Sequence, residues 1–452
     1  MTRRRLLATS LVATALLGGQ FLPSALAAQD GAALASVGSV RLIGEQDLPN
    51  DLMVDDTLVG GLSGLDYDAA SDSWIVLSDD RSDEAPARFY DATLTYDDAS
   101  FSSAELTAAT TLLQEDGTPF PNVDAGGNIP DPESIRVDPR SGNFYWTSEG
   151  SQELGIDPGV YVTEPDGTFV AGQPIDEIFN ADVNGETGIR NNGAFEGLTF
   201  SPDGSSYFVS TESPLFQDGE NATGDAGSVN RITQYDRDGG VLAQYAYEAD
   251  AVPNVGDGAL FFVNGITEIL AISDTTMLVL ERGTVQAADE TYSNNVRLYE
   301  IDLTGATDIS AIDALVGADY TPVGKRLVEE FDGSDFTVDN LETLAFGPDL
   351  ANGNRSLVIG SDNNFSDTQI TQFLAFEVLP GDASGTPAAG TPAAGTPVVE
   401  VGTGQDQDPD SATPVATPTL DAADGAGTPE VEVGTGQDQD EDSATPASTP
   451  GA

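Results

Sequence analysis

The chain has 452 residues, with 16 Lys and Arg against 76 Asp and Glu, a formal charge of −60, and neither cysteine nor histidine. Without cysteine there are no disulfides, thiolate nucleophiles or cysteine-held zinc; without histidine there is no Ser-His-Asp or Cys-His catalysis and no imidazole-ligated metal. Such a surface repels nucleic acid and anionic membranes and favours cations or high salt, which leaves carboxylates, hydroxyls, arginines, tyrosines or bound cations to carry any chemistry.

The first element is a leader. Arg3, Arg4 and Arg5 open it, Leu6 to Leu22 form a modestly apolar stretch, and Ala25-Leu26-Ala27 supplies small residues for cleavage. Residues 1–27 read as an export signal, twin-arginine-like because paired arginines precede Leu-Leu, with an ordinary secretory signal as the alternative. Gly18, Gly19 and Gln20 interrupt the apolar run, which argues against a membrane anchor. The expectation is a secreted, monomeric protein with no membrane span once the leader is removed.

Residues 36–380 read as all-β. Short runs rich in Val, Leu, Tyr, Phe, Ile and Thr alternate with Gly, Asp, Asn and Pro clusters. One hairpin recurs: SGLDYDAASDSWIVLSDDR from Ser63, ESIRVDPRSGNFYWTSEG from Glu133, EGLTFSPDGSSYFVSTESP from Glu196, EILAISDTTMLVLERG from Glu268 and ETLAFGPDLANGNRSLVIGSD from Glu342. The spacings, about 70, 63, 72 and 74 residues, suit a β-propeller of five blades, each hairpin being followed by one or two further strands. The last repeat is one strand short and Val37 to Gly44 is an orphan, so the two chain ends are expected to close one blade together. A sixth blade could hide between Asp302 and Pro322, and a sandwich with long insertions is the competing architecture. Residues 381–452, with GTPVVEVGTGQDQDPDSATPVATP from Gly395 repeated nearly unchanged from Gly427, read as a disordered acidic tail.

In a propeller blade the start of the first strand and the end of the second emerge on one face. Ser63, Glu133, Glu196, Glu268 and Glu342 occupy first-strand starts. Second strands end at Asp79-Asp80-Arg81, Glu149, Glu212, Glu281-Arg282 and Asp362. Together they predict an acidic mouth to the central channel. Clustered carboxylates must share protons, pair with arginine or hold a cation. Asp79, Asp80, Glu133, Glu149, Glu196, Glu212, Glu281, Glu342 and Asp362 are therefore candidate metal ligands, and oxygen-only donors select Ca²⁺ before Mg²⁺. Arg81 and Arg282 are candidate binders of an anionic substrate. The same glutamates equally suit hydrogen bonding to backbone N–H groups at the blade tops, and the arginines suit salt bridges. Gly61-Leu62-Ser63-Gly64-Leu65 approaches a nucleophile elbow but lacks its second glycine, and no histidine is available to activate Ser63.

SGLDYD at 63, SDDR at 78, ESIRVDP at 133, WTSEG at 146, FEGLTFSPDG at 195, STESP at 210, NLETLAFG at 340 and IGSDNN at 359 together resemble the phytase-like family described as having esterase-like activity of phytase. The resemblance implies a β-propeller in an exported bacterial protein. Through the calcium-dependent phytases it also implies six blades, and hydrolysis of a phosphate ester by metal-activated water with arginines steadying the phosphate. A small anionic ester is the expected substrate; a non-catalytic propeller that binds a ligand or protein partner is the alternative.

Overall fold

Apolar and β-branched runs of five to eleven residues, each closed by a turn that glycine or aspartate can make, dictate nearly every element of the fold. The computed structural model describes Leu34 and residues 36–381. The expected leader and, beyond Gly381, the expected tail lie outside the described residues.

The chain enters with β1 (Val37–Leu48) and a minimal hairpin, β2 (Met53–Val54) and β3 (Thr57–Leu58). Four four-stranded antiparallel sheets follow. Blade 1 is β4 (Leu62–Asp68), β5 (Ser73–Ser78), β6 (Arg88–Tyr96) and β7 (Phe101–Thr111). Blade 2 is β8 (Pro132–Val137), β9 (Phe144–Ser148), β10 (Gly159–Thr163) and β11 (Phe169–Gln173). Blade 3 is β12 (Phe195–Phe200), β13 (Ser206–Thr211), β14 (Ser228–Asp236) and β15 (Val241–Ala249). Blade 4 is β16 (Phe261–Ala271), β17 (Thr276–Gln286), β18 (Tyr292–Asp302) and β19 (Gly324–Glu330). Blade 5 is β20 (Leu341–Phe346), β21 (Ser356–Ser361) and β22 (Thr371–Pro380), completed by β1, which pairs antiparallel with β22 from Val37↔Pro380 to Leu48↔Thr371. The chain ends thus share one blade, as expected, and this removes the open edge of the ring.

The repeating hairpin forms for local reasons. In blade 3, Asp203 accepts the Ser205 N–H at 2.8 Å and the Ser201 hydroxyl at 3.0 Å, and Gly204 supplies the positive φ of 64° that the turn needs. Neighbouring strands are buried on both faces because each face meets a different blade. On β13, Tyr207 and Val209 pack toward blade 2, while Phe208 packs toward blade 4. On β5, Trp74 and Val76 join the core shared with blade 5, and Ile75 and Leu77 the core shared with blade 2. One apolar cluster fills each interface around the ring.

The ring closes at five blades, so the six implied by the phytase likeness are not present. Between β18 and β19, where a sixth could hide, no strand forms. That segment instead lies along blade 3: the Ile309 N–H donates to Gln244 at 2.9 Å and the Val323 N–H to Ala246 at 3.0 Å. Ile309 and Leu315 pack on Ala246, so the segment covers the outer edge of β15. Among the described residues no helix is long and apolar enough to cross a membrane.

Candidate functional site

The innermost strands β4, β8, β12, β16 and β20 surround the channel. Each carries a break in register at the same place: after Leu62, Pro132, Phe195, Ile266 and Leu341. A bulge there turns one residue per blade away from the regular ladder. By this register Ser63, Glu133, Glu196, Thr267 and Glu342 are equivalent. Asp79, Glu149, Glu212 and Asp362, each just past its second strand, and Arg282, inside the longer β17, form another ring. Four of these five anchor their backbone identically: the N–H groups of Asp79, Glu149, Glu212 and Asp362 donate to Gly61, Asp131, Ala194 and Asn340. Two polar rings and the Asp131 and Asn340 side chains therefore converge on one mouth.

The mouth is a cavity of about 970 Å³ lined by Asp79, Asp131, Glu133, Glu196, Glu212, Glu342 and Asp362, with Arg81 and Arg282 as its cationic lining. On one side are two carboxylate triads, Asp131–Glu133–Glu149 and Glu149–Glu196–Glu212, each with oxygens within 4.8 Å of one another and with Glu149 common to both. Glu149 accepts the Ala194 N–H at 2.8 Å. Among the described residues no donor is paired with the carboxylates of Asp79, Glu133 or Glu196. Opposite the triads, Arg282 reaches Glu212 at 2.8 Å, the Asn340 amide oxygen at 2.6 Å and Glu342. Asn340 in turn donates to Glu342 at 3.0 Å and to Asp362 at 3.3 Å. Arg81 lies 3.7 Å from Asp131 and is one-third exposed. Among the described residues the buried Nε atoms of Arg81 and Arg282 have no partner.

Burial is the main reason these acids titrate above the ordinary carboxyl range, and mutual repulsion adds to it. Burial and then Glu196, Asp131 and Glu149 push Glu133 well above the ordinary carboxyl range. Glu149 and Glu196 rise likewise, the first through burial and Asp131, the second through burial and Glu212. Asp79 is raised by burial, then Asp362 and Glu342. Asp131 is pushed to about 7 by burial, against the pull of Arg81, and Asp362 to about 8 by burial and Glu342. Glu212 rises less, because Arg282 opposes its burial. For Arg282, burial favours the neutral form, but Glu342 and Glu212 overcome it and hold the guanidinium charged.

The floor below the mouth is an ion pair. Arg136, the last residue but one of β8, extends across the channel, its Nε 2.7 Å from the Leu198 carbonyl and its Nη2 2.9 Å from Leu344 and 3.2 Å from Ile269, and it also meets Leu65. One guanidinium thereby touches inner strands of all four other blades. Glu268 balances it at 2.9 Å while accepting Ser134, Leu198 and Ile269 donors. Burial lifts Glu268 to about 7 against the pull of Arg136.

Of the expected ligands, Asp79, Glu133, Glu149, Glu196, Glu212, Glu342 and Asp362 converge, and so do Arg81 and Arg282. Asp80 and Glu281 do not. Asp80 pairs with buried Arg88 at 2.5 Å and accepts the Asp83, Glu84 and Ala85 N–H groups. Glu281 accepts Tyr247 at 2.6 Å, Asn264 at 2.8 Å and Lys325 at 2.7 Å between blades 3 and 4. Each is one residue away from its ring, and adjacent strand residues face opposite ways. The same slip moves Glu268, expected among the first-strand acids, down to the floor and leaves Thr267 at its level. Sequence reasoning missed Asp131, Asn340 and Arg136. The signal for the first two was an Asp or Asn at the same offset before the inner strand; for the third, a lone arginine between Ile135 and Val137 of an inner strand.

Three solved structures to which the chain shows a likeness are the Dos1 propeller (8% identity, 69% of this chain and 66% of that one, TM-score 0.28), the catalytic domain of Coprinopsis cinerea GH62 α-L-arabinofuranosidase (10%, 76% and 98%, 0.33) and a thermostable family-43 glycoside hydrolase (10%, 75% and 99%, 0.37). No curated relative matches the chain. The family model described as "Phytase-like: Esterase-like activity of phytase" matches residues 57–365, from the β2–β3 hairpin through all five inner strands to the loop beyond Asp362. The chain belongs to the phytase-like family.

Proposed function

We propose that the protein is a secreted phytase-like propeller that holds Ca²⁺ at the acidic mouth of its channel and hydrolyses a phosphoric ester there. The observation that carries this reading is the pair of carboxylate triads sharing Glu149. The donor set fits a hard cation: every candidate ligand is an oxygen, and unpaired carboxylates stand beside one another in a buried wall. A divalent cation in the triads would supply Lewis-acid charge where the chain itself has an excess of negative charge. Arg282, fixed by Glu212, Glu342 and Asn340, and Arg81, more exposed and loosely paired, would orient the anionic ester. Asp362, which burial and Glu342 raise to about 8, is the acid best suited to pass a proton to a leaving oxygen. Export is supported by the leader-like residues 1–27.

The second reading is a non-catalytic propeller that binds a ligand or protein partner. It is favoured by the engagement of Arg282 with two carboxylates, which takes up both of its Nη groups before any anion arrives. Phosphate release from phytate and from 4-nitrophenyl phosphate, with calcium and with chelator, separates the two. The hydrolase reading expects calcium-dependent release. Release that persists in chelator removes the metal from the mechanism; calcium binding by calorimetry with no release from any ester leaves the binding protein.

A further inference from the structure

Blade 4 is built differently from the others. β16, β17 and β18 each run for eleven residues, and their pairing continues past the level of the mouth. The row Gly265–Arg282–Val296 lies at the mouth. Beyond it, Val263–Thr284–Asn294 and Phe261–Gln286–Tyr292 are cross-strand rows two and four residues farther along. Alternation puts both rows on the same face as Arg282. Phe261, Val263, Thr284, Asn294 and Tyr292 line the cavity accordingly. At roughly 3.4 Å per residue, the aromatic row stands about 14 Å from the Arg282 row. Phe261 is 49% and Tyr292 62% exposed, and both line the same cavity as the carboxylates and Arg282. A cantilevered sheet with an aromatic tip over a charged mouth is an expensive surface to leave in water without a ligand.

Resting on the phosphoric-ester reading, we propose that the substrate carries an apolar or aromatic group, which Phe261, Val263 and Tyr292 hold while its anionic end meets Arg282. The mouth offers Arg81 and Arg282 as its cationic side chains among a majority of carboxylates, so charge for any phosphate beyond the first has to come from bound cations. A single anionic group joined to an apolar one matches both ends of the cavity.

The test is calorimetry on the calcium-loaded full chain with two non-hydrolysable probes, 4-phenylbutylphosphonate, whose four-carbon spacer lets the ring reach from Arg282 toward the aromatic row, and methylphosphonate, and with inositol hexakisphosphate. 4-Phenylbutylphosphonate is expected to bind at least about tenfold more tightly than methylphosphonate, since its apolar end leaves water. The double variant F261A/Y292A should bring 4-phenylbutylphosphonate down toward the affinity of methylphosphonate. F262A, whose side chain belongs to the other face of β16, should keep the difference. Equal affinities for the two phosphonates, or tightest binding of inositol hexakisphosphate, overturns the apolar subsite and leaves the phosphoric-ester reading standing. Failure of both phosphonates to bind, in protein that binds calcium, overturns that reading and the subsite with it.

Discussion

Glu149 stands at the shared corner of both carboxylate triads, so one substitution there touches both. Glu149→Gln removes the charge but keeps the shape, and calcium affinity measured by calorimetry is expected to fall by about tenfold or more, in line with roughly 1.4 kcal/mol per decade. Asp80→Asn is the contrasting case. It is expected to leave calcium binding unchanged but strips the counter-charge from buried Arg88, so stability falls by roughly 3–5 kcal/mol, as for a broken buried pair, and the thermal or urea midpoint drops with it. Asp79 and Asp80 are neighbours in the same motif, and only the strand's register says which faces the mouth. Arg136→Met acts differently again, leaving Glu268 buried and unpaired and several carbonyls of the inner strands without a donor. Unfolding is expected at lower urea, with Arg136→Met/Glu268→Gln less destabilised than Arg136→Met alone.

At the scale of elements, the recurring bulge turns an ordinary hairpin into part of a site. Without it, Glu133 and Glu196 would stay in the ladder's alternation, and the ring of side chains would be broken up among the blade interfaces. The alternating apolar residues on either side belong to two cores at once, so Leu198→Ala should cost about 2–5 kcal/mol in chemical denaturation. β1 has the most demanding role, because its partner β22 lies at the far end of the propeller. A chain beginning at Thr57 still contains all of the family's matched segment yet leaves β22 as an open edge. That truncation is expected to lose its cooperative melt and to associate, as seen by light scattering; a sharp monomeric transition would show that β1 is dispensable.

At the scale of the whole molecule, charge sets the conditions of stability. Asp131 and Asp362 have folded pKa values raised to about 7 and about 8 from ordinary carboxyl values near 3.8. A raised acid binds its proton more tightly when folded. Its stabilising contribution is complete below the unfolded pKa and is lost as pH rises through the folded one. In chelator the protein is therefore expected to melt higher near pH 5 than at pH 8, a trend that self-repulsion among the excess of acids reinforces. Calcium should raise the melting temperature more at pH 8 than at pH 5, because cations then replace the missing protons. A chelator melt that climbs steadily from pH 5 to pH 8 would contradict this account of the mouth.

Composition alone removed thiol and imidazole chemistry, because no fold can supply a side chain the chain lacks. Repeat spacing alone also gave five hairpins, the closure by β1 and an acidic ring, since strand periodicity and turn residues are local properties. What the sequence could not decide was phase. Whether Asp79 or Asp80, Arg282 or Glu281, Thr267 or Glu268 faces the channel depends on pairing between strands and on where a bulge inserts one residue. The long strands of blade 4 were equally visible as letters, but only their continued pairing places Phe261 and Tyr292 above Arg282. Arg136 shows the same limit most plainly: an arginine between Ile135 and Val137 becomes the channel floor only when four other blades bring their carbonyls to it.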